Sequence, residues 1–242
     1  MIWVLIVLIG LGAGTLGGII GFGSTTILMP FLVIALGPKA AVPVMAIAAV
    51  LGNLARVIVW KRQIAWKAVA AFAAPSALAT WAGVRTMLSL DPTALEVGLG
   101  LFFMLMIPAR RWMVAADLRV TLPVLAIAGI FVGFLTGIVA NTGPINTPFF
   151  LAHGLSRGAF IGTEAAASLA MFSAKTAAFL VFDALTWRIA GFGILVGTTL
   201  MIGAQLAKRM MDKIDLRSFN WMMDALLLVA GIAMILSALW SG

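Results

Sequence analysis

Gly137-Ile138-Val139-Ala140-Asn141-Thr142-Gly143-Pro144, with Pro148 beyond it, interrupts a long apolar run in the second half of this chain. A matching interruption lies in the first half: Gly18-Ile19-Ile20-Gly21-Phe22-Gly23-Ser24-Thr25, with Pro30 beyond it. Glycine and proline at these places break a helix. Hydrocarbon cannot satisfy the freed N–H and C=O groups, so such a break persists at membrane depth only where protein or an aqueous cleft surrounds it. Two broken helices at matching places in two halves point to a transporter's binding site.

Working outward, 63% of the 242 residues are hydrophobic and 10% are charged, against roughly 45–50% and 25% in an average soluble domain. Apolar segments fall at about 2–20, 24–36, 40–60, 67–88 and 94–109, then 120–140, 144–152, 158–182, 187–207 and 217–240. The second and seventh are too short to cross ~30 Å of hydrocarbon at ~1.5 Å per residue and read as half-helices. The opening stretch lacks a basic n-region and runs straight into more membrane sequence, so it is not expected to be a cleavable signal. With no cysteine and one histidine, His153, the chain excludes disulfides and thiolate centres, and no cofactor or metal is expected. The net charge of +8 reads as membrane topology and not as affinity for nucleic acid.

Ten of the sixteen Lys and Arg lie in three loops: Lys61, Arg62 and Lys67; Arg110, Arg111 and Arg119; Lys208, Arg209, Lys213 and Arg217. The positive-inside rule puts all three on the cytoplasmic side. That holds only if the chain reverses at Asn141–Pro144, and by analogy at Gly21–Thr25. The fold expected is an all-α polytopic membrane protein of two inverted-topology repeats, residues 1–115 and 116–242. Each repeat has about five segments, four spans plus a broken or re-entrant half-helix, with eight to ten membrane segments overall and both termini away from the cytoplasm. Internal matches agree: Gly37-Pro38-Lys39 with Gly154-Leu155-Ser156, Arg56 with Lys175, Ile64-Ala65-Trp66-Lys67 with Leu185-Thr186-Trp187-Arg188, and Gly83 with Gly203.

The candidate substrate-binding residues are Gly21, Gly23, Ser24, Thr25, Asn141, Thr142, Gly143 and Pro144 at the breaks, with Arg56 and Lys175 inside the membrane. Half-helices starting at the breaks would aim free N–H groups and positive dipole ends at an anion. Whether they start at the Ser/Thr cluster or at Pro30 and Pro148 the sequence leaves open. Glycine packing notches are the plainer alternative for the breaks, and snorkelling to the interface is the alternative for Arg56. Glu164 reads either as a proton-coupling carboxylate or, more simply, as an acid at the start of its own helix. His153 reads as a loop or helix-end residue, Asn53 as site polar group or helix glue, and Asp224 as close enough to the interface to be solvated.

At these residues the chain resembles the sulfite exporter TauE/SafE family of membrane permeases. Gly18-x-x-Gly21-Phe22-Gly23-Ser24-Thr25 through Pro30 is similar to the family's glycine-rich first copy. Thr142-Gly143-Pro144 through Pro148, then Gly154 and Gly162-Thr163, is similar to the second. Ser24 and Thr25 stand where the family often has further glycines. The resemblance implies transport of small anions such as sulfite or organosulfonates across the bacterial inner membrane. The function expected is a secondary anion transporter, with a passive anion channel of the same fold as the alternative. No Ser/His, His-Glu-x-x-His or paired-Asp constellation suggests an enzyme. The expected partners are the anion and the lipid bilayer, without nucleic acid; oligomeric state is not legible.

Overall fold

The computed structural model describes residues 2–20, 24–115, 119–139, 142–155 and 157–210, and beyond them residues 221, 224–225, 228–229, 231–232 and 235–236. All secondary structure among them is helical. The elements are α1 (Ile2–Ile20), α2 (Ser24–Leu36), α3 (Pro38–Trp60), a 3-10 turn (Lys61–Gln63), α4 (Trp66–Ser89) and α5 (Pro92–Ala115). Then come α6 (Leu122–Ile138), α7 (Gly143–Ala152), α8 (Arg157–Val181) and α9 (Trp187–Met210).

Four helical stretches are long and apolar enough to cross a membrane: Pro38–Gln63, Pro92–Ala109, Gly158–Val181 and Trp187–Ala207. Their outer faces are apolar, with Ile58, Leu101, Leu105, Leu180 and Ile194 all exposed. Exposed leucine and isoleucine on several helices suit hydrocarbon as solvent and would be a liability in water. Four such helices with apolar outer faces are the build of a multi-pass membrane protein.

The half-helices begin at the breaks themselves. α2 starts at Ser24, with Pro30 inside it, and α7 starts at Gly143, with Pro144 in the first turn and Pro148 inside. Their 13 and 10 residues span roughly 20 and 15 Å, about half a bilayer or a little more. Each ends in a left-handed glycine: Gly37 at φ 76 and Gly154 at φ 89. A side chain is strained at such φ, so glycine turns the chain out of the helix at both matched positions. Trp66 and Trp187 are the exposed first residues of α4 and α9.

Small residues set the packing. Gly129, Gly133 and Gly137 on α6 recur every fourth residue, and a Cβ on any of them would overlap or press on the backbone of α4 at Phe72, Ser76 and Thr80. Gly14 and Gly18 on α1 meet the α9 backbone in the same way, at Leu200 and Ala204, and Gly10 lies against the Thr199 side chain. The partner helices return the fit: a Cβ on Gly83 would strike the carbonyl of Phe134, and one on Gly203 the carbonyl of Leu11. Backbones this close exchange dispersion and weak C–H···O contacts that larger side chains would prevent. The packing-notch reading therefore holds for Gly18 and Gly137, and it coexists with the breaks that follow them. At the centre α3 packs on α8, while α3 also packs on α9 and α4 on α8.

Two expectations need correction. Lys67, Arg110, Arg111, Lys208 and Arg209 lie in helices and not in loops, because α4 starts at Trp66, α5 runs on to Ala115 through Pro108 and α9 runs to Met210. Asp224 is not solvated: it is buried, and Arg111 Nη2 donates to its Oδ2 at 2.6 Å. An isolated buried carboxylate is costly, and the α5 extension brings a cation to it. Asp212, Lys213, Asp215 and Arg217 lie outside the described residues.

Candidate functional site

A cavity lies where the C-terminal part of α1 meets α2, α3, α8 and α9. Gly14, Gly17 and Gly18 line it, with Ser24 and Thr25 from the first turn of α2. α3 adds Gly52, Asn53 and Arg56, α8 adds Glu164, Ser168 and Phe172, and α9 adds Leu200 and Ala204. The cavity volume is about 30 Å³, space for about two waters. A small anion stripped of water is the upper limit without helix movement.

Inside it lies a four-membered polar chain. Arg56 Nη1 donates to Glu164 Oε2 at 3.0 Å, and Arg56 Nη2 donates to Asn53 Oδ1. Ser168 donates to the other carboxylate oxygen, Oε1, at 2.6 Å. Asn53 is held in turn by its own amide N–H on the Ala49 carbonyl at 2.8 Å. Asn53 and Arg56 stand three residues apart on α3, and Glu164 and Ser168 four apart on α8, so each pair shares a helix face. The α3–α8 crossing then brings the faces together. Glu164 is 2% exposed and the Arg56 side chain 12%. Each charge would be expensive alone at such burial; together they form a neutral pair with hydrogen bonds around it.

This geometry revises two readings. Arg56 does not reach outward to the interface but turns inward to Glu164 across 108 residues of sequence. Glu164 is not an acid in the first turn of its helix, since α8 starts two turns earlier, at Arg157. The helix dipole falls off within that first turn and does not account for this carboxylate.

The second break is built differently. Lys175, fully buried, donates to the carbonyls of Thr136 and of Val139, the latter at 2.7 Å, and lies 5.7 Å from the centroid of the Phe179 ring. These carbonyls belong to the end of α6, where helical partners run out. The lysine thus stands in for the missing N–H groups and brings its positive charge to the negative helix end. The Thr136 and Thr142 hydroxyls bond each other across the break, and Thr147 Oγ1 donates to the Gly143 carbonyl at 2.9 Å. Asn146 is buried, and among the described residues its Oδ1 has no hydrogen-bond partner. His153, as expected, ends the half-helix, its Nδ1 2.8 Å from the Val120 carbonyl.

Of the residues expected to bind substrate, the cavity gathers Ser24, Thr25 and Arg56, together with the coupling candidate Glu164. Thr142, Gly143 and Lys175 lie at the other break, outside the cavity lining; Pro144 is in the first turn of α7. Gly21, Gly23 and Asn141 lie outside the described residues. The sequence reading missed Ser168 and Thr136. Ser168 carries a signal, one turn beyond Glu164 on the same face; a threonine near a helix end, such as Thr136, carries none.

The family model described as sulfite exporter TauE/SafE matches residues 6–234. The chain belongs to the sulfite exporter TauE/SafE family. It is therefore a membrane transport protein of a family of small-anion exporters and not of a family of enzymes. No curated protein and no solved structure matches it.

Proposed function

We propose that this TauE/SafE protein is a secondary transporter of small sulfur-containing anions, such as sulfite or short organosulfonates. The anion binds at the first break on Arg56, and access alternates between the two sides of the bacterial inner membrane. The observation that carries this is the Arg56–Glu164 pair, one residue from each half, inside a cavity walled by the glycines of α1 and the hydroxyls of Ser24 and Thr25. A guanidinium binds carboxylates and sulfur or phosphorus oxyanions through the same donors. The start of α2 adds backbone N–H groups and a positive dipole end. Lys175 serves the site at a distance, by holding the second break in shape. Glu164 is the coupling residue.

The two repeats, 1–115 and 116–242, lie inverted in the membrane, with both termini away from the cytoplasm. The packing supports the repeat because it survives an exchange of halves, and the placing of the basic residues on one side supports the inversion. Exchange turns α1 on α9 into α6 on α4, turns α3 on α9 into α8 on α4, and leaves α3 on α8 unchanged. A passive channel is the competing mechanism, and a cavity this small, crossed by an ion pair, favours a carrier.

Uptake of labelled sulfite into proteoliposomes tests the proposal. A carrier is accelerated by unlabelled sulfite on the opposite side, whereas a channel is not. Equal uptake by the parent and by Arg56→Gln would remove Arg56 from the binding site.

A further inference from the structure

The ion pair has a consequence for energetics that neither the family nor the binding site by itself carries. An anion arriving at Arg56 meets a guanidinium already engaged by a carboxylate. If Glu164 kept its charge, the buried site would hold one positive and two negative charges, and the excess would lack compensation in a medium of low dielectric. Among the described residues of the cavity, a proton on Glu164 is what can balance the charge from within. α3, α4, α6, α7 and the 61–63 turn all pack against α8. On these elements Lys39, Lys61, Arg62, Lys67 and Arg85 are exposed, and α6 and α7 carry no charged residue. On α8 itself Arg157 is the first residue, two turns before Glu164, and Lys175 is committed to the carbonyls at the end of α6. Among the described residues lining the cavity, Arg56 and Glu164 are the charged ones.

Resting on the anion-carrier reading, we propose that anion and Glu164 carboxylate compete for Arg56, so that each monovalent anion crosses with one proton and no net charge moves. A proton passes from water on the open side to Glu164, giving the neutral acid. The Arg56 N–H groups transfer from Glu164 to the anion, no covalent bond to carbon or sulfur changes, and release on the other side reverses both steps. Ser168 fits this exchange. Its hydroxyl now donates to Glu164 Oε1 at 2.6 Å, and a hydroxyl can equally accept from a protonated carboxyl. Glu164 is thus hydrogen-bonded in both states, and protonation leaves no buried donor unsatisfied. A dianion would leave the site one charge in excess, so a dibasic oxyanion travels in its monoprotonated form.

The test uses the wild-type protein in proteoliposomes with labelled methanesulfonate, which keeps one charge throughout the working pH range, and with sulfite in parallel. A pH gradient, acid on the loading side, should drive accumulation by about tenfold per pH unit at equilibrium, as one bound proton per anion requires. A membrane potential set with valinomycin and potassium should change nothing. Glu164→Gln should abolish accumulation by the pH gradient and make the residual anion movement respond to potential. If that variant does not fold, the wild-type response to pH and potential still decides. Uptake driven by potential and indifferent to the pH gradient would overturn this proposal while leaving the anion carrier standing. Uptake of neither anion under any gradient would overturn both.

Discussion

The two breaks share a plan but differ in what they do with a buried cation. At the spacing of 119 residues that pairs Gly18 with Gly137, Arg56 falls on Lys175. The first cation is held by a side chain, Glu164, which can be protonated and released; the second is held by backbone carbonyls, which cannot. The neighbours differ in step. The same spacing puts Gly17 opposite Thr136, Asn53 opposite Phe172 and Met45 opposite Glu164. Where the first half leaves a cavity beside Gly17, the second fills it with a threonine hydroxyl bonded to Thr142. Where α8 places a carboxylate against Arg56, the matching position of α3 holds a buried methionine. On the proposed reading the first break is the working site and the second is scaffold. In such a pair the residues that differ say more about the site than those that match.

The largest effect is expected from breaking the open side. Arg56→Met should lower transport by roughly 100-fold or more, as loss of one partner of a buried charged interaction does. It also strands Glu164, at a cost of about 3–5 kcal/mol, so the protein's thermal unfolding must be followed alongside. Arg56→Met with Glu164→Met should restore the unfolding temperature and leave transport absent. Recovery of transport in the double variant would move the site elsewhere.

On the closed side, Lys175→Met should act on stability first. It leaves the Thr136 and Val139 carbonyls short of a donor, worth about 1–3 kcal/mol for buried unsatisfied groups. Lower thermal stability in detergent with near-parental anion affinity is the expected pattern; the reverse would return Lys175 to the binding site. Thr136→Ala breaks the hydroxyl pair with Thr142 and should cost about 1 kcal/mol, again in unfolding and not in binding. A selective loss of affinity would mean that the second break is also a working pocket.

How much of this was legible in the sequence follows from the range of the interactions. The half-helices were legible because Gly, Pro and the Ser/Thr cluster act on their own backbone, and α2 and α7 begin at the breaks. The matched turns at Gly37 and Gly154 and the exposed Trp66 and Trp187 were legible for the same reason. The Arg56–Glu164 pair was not, because its partners are set by a crossing of α3 and α8 that no local pattern encodes. Arg111 and Asp224, paired across 113 residues, escaped in the same way, and α5 hid the matter further by running on past its arginines. Lys175 is a different case: a buried cation without a nearby acid invites an anion, and the carbonyls at the end of α6 that hold it here are backbone groups that no side-chain pattern marks.

The smallest effect sharpens the role of burial. Arg111→Ala with Asp224→Asn removes another ion pair without stranding the buried Asp224 carboxylate, and the Arg111 side chain is 61% exposed, so the change should cost no more than about 1 kcal/mol. Thermal unfolding checks it; a loss as large as that of Arg56→Met would show that burial does not separate the two pairs.

The most direct test of the central claim is anion binding by isothermal titration of purified protein with sulfite at one pH, compared across three forms. The account predicts that the parent and Lys175→Met bind with affinities within roughly tenfold of each other, about 1.4 kcal/mol, while Arg56→Met/Glu164→Met, still folded, binds no sulfite. Parental affinity in the double variant together with lost affinity in Lys175→Met would contradict it, and would place the anion at the second break.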